Sequence, residues 1–166
     1  MSADDFASEM KEIASLNVHV LGGCCGTTPE YLSKTIELVK DLPIEPPVKK
    51  NMSVVTSFSQ SVEIGPKPVI IGERINPTGK KKFKQALRDG DINYILSEGL
   101  KQEDAGAHIL DVNVGLPEID EPKMMVEVMK KLQSVIALPL QIDTSDPIAL
   151  EAALRHYNGK AMINSV

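Results

Sequence analysis

VIIGERINPTG, residues 69–79, is the stretch that decides the fold. It begins as a short apolar run, breaks at Gly72 and turns polar at Glu73 and Asn76. The same change from apolar to polar recurs in three later stretches, which are HILDVN at 108–113, LPLQIDTS at 138–145 and AMINS at 161–165. We predict that each is a buried strand with carboxylate or amide groups at its C-terminal end. The four ends are expected to form one side of a ligand pocket.

Helical patterns separate these four strands. The predicted strands span 69–71, 108–112, 138–142 and 161–164, and the predicted helices span 81–89, 91–105, a segment after Pro122, and 147–157. This alternation implies an α/β fold with a parallel sheet and right-handed crossovers, in which ligand groups gather at the carboxyl ends of the strands. Residues 68–166 are therefore predicted to be strands 1–4 of a (β/α)8 barrel of the TIM-barrel type. An open half-barrel exposes unpaired backbone groups, so we expect dimerisation or aggregation.

Residues 1–42 predict a different piece of α/β structure. An amphipathic helix at 4–15 is followed by an apolar run at 18–21 that is typical of a strand, then by a glycine-bracketed turn and a second helix from Pro29 to about residue 42. One strand cannot be buried between two helices without more sheet, so this piece is interpreted as the tail of a larger domain. The proline-marked residues 43–67 are predicted to be an interdomain linker, in which 53–58 could add an edge strand or pack on a neighbouring surface.

Composition excludes several classes of partner. The 166 residues carry a formal net charge of −5 and lack a long basic run, which argues against nucleic acid. No apolar stretch approaches the ~18 residues of a membrane span. The acidic N-terminus lacks the pattern of a signal peptide, so we expect a cytoplasmic protein without a membrane partner.

Six polar residues end the four strands: Glu73, Asn76, Asp111, Asn113, Asp143 and Asn164. Three carboxylates and three amides without a His or Cys cluster are poorly suited to a transition metal or to covalent nucleophilic catalysis. They suit a flat heterocycle, because a carboxylate accepts two parallel N–H bonds and an amide both donates and accepts. The alternative is that these residues cap strand ends and helices, as Asp143 could do for the helix that begins near Pro147.

Cys24 and Cys25 are the only two cysteines and are adjacent. Adjacent cysteines rarely bridge each other, so they are expected to be free thiols, as in a reducing compartment. Two thiolates on a glycine turn can share one Zn²⁺, yet the chain supplies no convincing third ligand. A zinc site and a pair of inert thiols both remain open.

Two sets of motifs carry a family resemblance. GGCCGTTPEYL at 22–32 resembles the C-terminal zinc motif of homocysteine methyltransferase domains. This resemblance implies that residues 1–42 are the C-terminal part of a homocysteine- and zinc-binding barrel, so that the chain holds parts of two incomplete barrels. GERINPTG, DVNVG, QIDTSDP and INSV resemble the first four strand ends of the pterin-binding barrel shared by folate-dependent methyltransferases and dihydropteroate synthases. Joined in this order, the two sets are similar to the cobalamin-dependent methionine synthase family over nearly the whole chain.

This resemblance implies a methyltransferase. A methyl group would pass from 5-methyltetrahydrofolate, through cobalamin on a domain outside this chain, to zinc-bound homocysteine, giving methionine and tetrahydrofolate. The resemblance makes Cys24 and Cys25 two of three zinc ligands, with the third upstream of Met1, and makes the six strand-end residues the pterin-binding set. It assigns no catalytic residue to this chain, because family groups that face the folate N5 come from later strands. We therefore expect an incomplete part of the enzyme that is inactive alone.

Three alternatives to this family compete. Another pterin-barrel enzyme, either a corrinoid methyltransferase or a dihydropteroate synthase, would leave the GGCCG motif unexplained. A betaine-type homocysteine methyltransferase would explain that motif but not the second half of the chain. The alternative from a different class is a non-catalytic binding piece, such as half of a split enzyme that another chain completes.

Overall fold

The structure is a computed structural model that describes residues 1–46 and 48–165. The chain forms two compact units, Met1–Lys50 and Asn51–Val166, which we call the first unit and the second unit. Pro47 of the predicted linker and Val166 of the INSV motif lie outside the described residues. Every helix among the described residues is too short or too polar to span a bilayer.

The first unit is a pair of helices, α1 (Ala3–Ser15) and α2 (Pro29–Val39). Ser2 and Asp5 form a reciprocal capping box that starts α1, and Pro29 stands in the first turn of α2. The helices meet through Phe6 and Tyr31, whose ring centroids lie 5.5 Å apart in an edge-to-face arrangement. Both predicted helices are confirmed, with α2 ending three residues earlier than predicted.

The predicted strand at 18–21 is wrong. These residues have no regular secondary structure, and Val20 is 87% exposed. A strand is stabilised by its neighbours, and within the described part of the first unit no second strand pairs with this run. An apolar run that lacks such a partner remains irregular whatever its intrinsic preference.

Part of the predicted linker is folded. β1 (Ser53–Thr56) and β2 (Ser61–Ile64) form an antiparallel hairpin. Thr56 forms a bridge with Lys160, and the Ser57 hydroxyl donates to the Ala137 carbonyl across 2.6 Å. The hairpin therefore belongs to the second unit, and the division between units lies at Lys50, inside the range 43–67 predicted as linker.

The main body of the second unit is a four-stranded parallel sheet in the order β3-β4-β5-β6. Its elements in chain order are β3 (Ile71–Ile75), α3 (Lys81–Asp89), α4 (Ile92–Asp104), β4 (Ile109–Val112), α5 (Glu121–Leu132), β5 (Leu140–Asp143), α6 (Pro147–Leu154) and β6 (Met162–Asn164). The predicted α/β class and the predicted alternation of strands and helices are confirmed. β3 and β6 are the edge strands of this sheet, and self-association through an edge stays a prediction.

Helices cover one face of the sheet. Leu110, Val112, Leu140 and Ile142 project to that face and are almost completely buried in an apolar cluster with residues of α3, α4 and α5. Gly99 of α4 allows close packing there, because a Cβ at this position would lie 2.5 Å from the Ile136 side chain. Side chains alternate along a strand, so Asp111, Gln141 and Asp143 project to the opposite face. This alternation separates the core from the polar cluster.

Candidate functional site

The parallel sheet brings the predicted site residues together at the C-terminal edge, where its strands end. Asp111 is in register with Gln141, and Asp143 is in register with Asn164. Asn76 and Asn113 follow the ends of β3 and β4 directly. The strand ends converge because all four strands run in the same direction, as the sequence predicted.

Asp111 is the centre of the first hydrogen-bond network. The Asn76 Nδ2 donates to Asp111 Oδ2 across 3.5 Å, and the Gln141 Nε2 donates to Asp111 Oδ1. The side chain is buried, with 2% of its surface exposed. Burial raises the pKa of Asp111, the nearby Asp143 carboxylate adds to this rise, and the hydrogen bonds from Gln141 and Asn76 oppose it.

Asn113 and Asp143 form the second network. The Asn113 Nδ2 donates to Asp143 Oδ2 across 2.9 Å. Among the hydrogen bonds of the described residues, none reaches Asp143 Oδ1, and this carboxylate is only half-buried. Asp143 therefore presents a free acceptor oxygen, whereas both oxygens of Asp111 are engaged within the protein.

Backbone contacts determine which way the two Asn side chains point. The Thr78 N–H donates to Asn76 Oδ1 across 2.9 Å, and the Gly115 N–H donates to Asn113 Oδ1 across the same distance. Each Asn thus makes a local turn in which its side-chain carbonyl oxygen accepts a hydrogen bond from the backbone N–H two residues further along the chain. The amide NH₂ groups are left to face Asp111 and Asp143.

An irregularity in β3 brings Glu73 and Asn76 to the same face. Residues three apart project to opposite faces of a regular strand, but the register of β3 against β4 shifts between Gly72 and Ile75. The shift leaves the Arg74 N–H without a partner in the neighbouring strand. The side chain of the buried Gln102 of α4 replaces that partner and accepts from the Arg74 N–H across 2.7 Å. Glu73 consequently lies close enough to Asp111 for its charge to contribute to the raised pKa of Asp111.

Four residues in or around the two networks were missed by sequence reasoning: Gln102, Glu121, Gln141 and Thr144. Gln141 lies two residues before Asp143, so strand alternation could have revealed it. Glu121 accepts a hydrogen bond from the Thr144 hydroxyl, and this contact joins residues 23 apart in the chain. Gln102 carries no signal in the local sequence, because its role depends on how α4 packs on β3.

A depression of about 620 Å³ lies at this edge of the sheet. Its walls include Asn113, Gly115, Glu121, Thr144 and Asp146, and Asn113 is the one of the six predicted site residues that lines it. Carboxylate acceptors beside amide donors can bind the edge of a flat heterocycle that has both donors and acceptors. This edge of the sheet is the candidate binding site.

Cys24 and Cys25 lie on an exposed turn of the first unit, and both are free thiols. The Cys24 N–H donates to the Thr27 hydroxyl across 3.1 Å, and the Thr27 N–H donates to the Cys24 carbonyl across 3.0 Å. No three His, Cys, Asp or Glu residues lie together as a metal-binding group within the described ranges 1–46 and 48–165. The two thiols match zinc in chemistry but not in number, since catalytic zinc sites use three protein ligands. The zinc assignment stays a prediction.

Two comparisons relate this chain to known proteins. A family model described as "Pterin binding enzyme" matches residues 72–166. Methionine synthase of Mycobacterium tuberculosis (strain ATCC 25618 / H37Rv) is 30% identical over 161 residues, which cover 93% of this chain and 13% of that protein. The chain thus spans only about 13% of the length of this relative. The family match includes all six predicted strand-end residues, and the resemblance inferred from the motifs is confirmed.

Proposed function

This chain belongs to the pterin-binding enzyme family, and we propose that its four strand ends form one side of a pocket for the pterin ring of 5-methyltetrahydrofolate. The observation that carries the proposal is the convergence of two carboxylate–amide networks, on Asp111 and on Asp143, at the carboxyl edge of the parallel sheet. In this proposal the sheet is part of a (β/α)8 barrel, and the pterin set is Glu73, Asn76, Asp111, Asn113, Asp143 and Asn164.

The two carboxylates have different tasks in the proposed pocket. Asp143 is half-buried and has a free oxygen, so it would accept N–H bonds from the aminopyrimidine edge of the pterin. Asp111 is buried and engages both oxygens with Gln141 and Asn76, so it would hold the network together. Asn113 would connect the loop after β4 to the end of β5, because its NH₂ donates to Asp143 and its side-chain carbonyl oxygen accepts from the Gly115 N–H.

The reaction we propose for the whole protein is methyl transfer from 5-methyltetrahydrofolate to homocysteine, which yields tetrahydrofolate and methionine. The support is the similarity to a protein named methionine synthase over 93% of the chain. Cobalamin, bound by a domain elsewhere in the protein, would act as the methyl carrier. This chain contributes pterin binding and orientation to that reaction.

The first unit would serve the homocysteine side of the reaction. We propose that Cys24 and Cys25 are two zinc ligands, on the basis of their thiol chemistry and the GGCCG motif. Two ligands do not complete such a site, so no step of the reaction is derived from them. Free exposed thiols also favour the cytoplasm as the compartment.

The experiment that tests pterin binding is isothermal titration calorimetry with 5-methyltetrahydrofolate. The titration uses this chain and an extended form that carries four further barrel strands after residue 166. We expect binding by the extended form and at least tenfold weaker binding by this chain, because half of the pocket walls are then missing. Tight binding by the 166 residues alone would contradict the half-pocket, and an extended form that ignores folate would overturn the pterin site.

A matched pair of variants localises the ligand. Asp143→Asn is expected to weaken folate binding by about tenfold to a hundredfold, because a charged acceptor facing the ligand is lost. Asp89→Asn is the control, since Asp89 also accepts one side-chain amide bond, from Gln85 across 2.8 Å, but lies on the exposed surface of α3. An equal effect of both variants would show that the loss is not specific to the site.

A further inference from the structure

Thr144 lies buried where three loops meet. It directly follows β5, and 4% of its surface is exposed. Its hydroxyl donates to Glu121 Oε1 and accepts from the Asp146 N–H across 3.0 Å. Its own N–H donates to the Asn164 carbonyl across 2.8 Å. One residue thus connects the start of α5, the loop before α6 and the end of β6.

These contacts leave the hydroxyl a single orientation. The hydroxyl hydrogen is used toward Glu121, so a lone pair of the same oxygen faces Asp146. Glu121 belongs to the first turn of α5 and lies beside Gly115, since a Cβ at Gly115 would be 3.5 Å from Glu121 Oε2. The bond between Thr144 and Glu121 therefore ties the loop after β4 to the loop after β5.

The hydrogen bond between Thr144 and Glu121 lies next to two residues of the candidate site, Asp143 and Asn164. Asp143 precedes Thr144 in the chain, and Asn164 is bound to the Thr144 N–H. Asp143 carries the free acceptor oxygen of the candidate site, and Asn164 lies opposite it in the register of β5 and β6. A displacement of the Thr144 backbone would therefore shift the backbone segments that carry both side chains.

We infer that Thr144, held by Glu121, is a positioning residue that sets the directions of Asp143 and Asn164 toward the ligand. This inference rests on the proposed pterin site. Thr144 itself need not touch the ligand, because its hydroxyl is already engaged by Glu121 and Asp146. The bond between Thr144 and Glu121 acts through Asp143 and Asn164.

The test compares Thr144→Val, which removes the hydroxyl at nearly constant volume, with Thr144→Ser, which keeps it. Folate titration of the extended form is expected to show about tenfold weaker binding for Thr144→Val and a change of less than about twofold for Thr144→Ser. The control is Thr35→Val, because Thr35 is also buried and its hydroxyl donates to the Tyr31 carbonyl within the first unit. Folate binding unchanged by Thr144→Val would overturn the inference.

A double-mutant cycle tests whether Thr144 and Glu121 act through one bond. Glu121→Ala is expected to weaken folate binding to the same degree as Thr144→Val, and the double variant is expected to be no weaker than either single variant. Fully additive losses would show two independent effects and would overturn the proposed tie.

A ligand-free measurement separates this inference from the pterin assignment. In nitrogen-15 NMR spectra, Thr144→Val should shift the side-chain amide resonances of Asn113 and Asn164, whereas Thr144→Ser should leave them within about one linewidth. If the unaltered protein binds no folate, the proposed function fails, and these spectra still decide on the positioning role. Unmoved Asn resonances in Thr144→Val would overturn it whatever the ligand.

Discussion

Similar apolar runs have different structures in the two units, irregular and exposed in the first and a buried strand in the second. Residues 18–21 in the first unit and β4 in the second are both short apolar stretches, and sequence patterns predict a strand for each. Val20 is 87% exposed and in no strand, whereas Ile109, Leu110 and Val112 are completely buried between neighbouring strands. The difference shows that a strand depends on its pairing partners as much as on its own residues.

The two units also differ in the size of the side chains that they bury. The buried residues of α1 and α2 are Ala3, Ala7 and Thr35, all of them small. The second unit buries large side chains of β4, β5, α4 and α5 in one cluster. We therefore expect most of the unfolding free energy to reside in the second unit.

The largest expected effect comes from one Leu→Ala substitution in each unit. Leu132 is 0% exposed and Leu32 is 39% exposed. Leu132→Ala should lower the free energy of unfolding of the second unit by about 3 kcal/mol, because it leaves a cavity in the core. Leu32→Ala should cost less than about 1 kcal/mol. Urea titration with hydrogen exchange measured by mass spectrometry reports on each unit separately. Equal losses of unfolding free energy for the two variants would contradict the difference in burial between the units.

A smaller effect is expected at the irregularity of β3. Gln102→Leu removes the acceptor of the Arg74 N–H and should cost about 1–3 kcal/mol of unfolding free energy. It should also shift the NMR resonance of the Asn76 side-chain amide, since the register shift brings this residue to the site.

Gln133→Leu is the matched control for this change. Gln133 also accepts a backbone bond, from the Asn158 N–H across 2.7 Å, but it lies away from the strand ends. It should lower stability without moving the Asn76 resonance. An unmoved Asn76 resonance in Gln102→Leu would show that β3 keeps its irregular register without Gln102.

The smallest expected effect is a pH dependence of opposite sign in the two units. Burial raises the pKa of Asp111, so the folded second unit holds its proton to higher pH than the unfolded chain does. The contribution of Asp111 to stability is therefore fully present below its ordinary pKa near 3.8 and is lost as the pH rises through the raised value. Asp111→Asn should remove this downward slope.

Asp5 supplies the contrast in the first unit. Hydrogen bonds from the Ser2 side chain and backbone lower the pKa of Asp5, so its contribution is present above the ordinary pKa and is lost as the pH falls through the lowered value. Asp5→Asn should flatten a slope of the opposite sign, and the effect should be small because Asp5 is exposed. Stability measured by urea unfolding between pH 3 and pH 7 checks both variants, and slopes of equal sign would contradict the assignment.

The sequence predicted the sheet better than it predicted the strand limits. The sequence pattern predicts a strand at 69–71 that ends before Gly72, but β3 spans Ile71–Ile75, so both predicted limits are wrong. Polar residues can continue a strand when their side chains face away from the helices, and the sequence does not reveal which face is covered. The latter half of the predicted linker is a hairpin whose strands pair with each other. Thr56 and Ser57 of this hairpin also contact Lys160 and Ala137, more than 75 residues away.

Local sequence patterns also predicted only part of the candidate site. Asp111, Asn113, Asp143 and Asn164 could be predicted because each ends a strand of one parallel sheet, and parallel strands end at a common edge. Gln102, Glu121 and Thr144 could not, since each acts across a contact between two elements. Their residue types carry no signal until those elements are packed together.

By itself, the sequence determined the alternation of helices and strands, the parallel sheet and the residues that end its strands. These features follow from local periodicity and from the single direction in which the strands must run. Only the tertiary structure decided that residues 18–21 form no strand, that Glu73 and Asn76 share a face, and that Thr144 is tied to Glu121. The physical reason is that pairing, burial and hydrogen-bond geometry depend on neighbours distant in the chain, which no local pattern specifies.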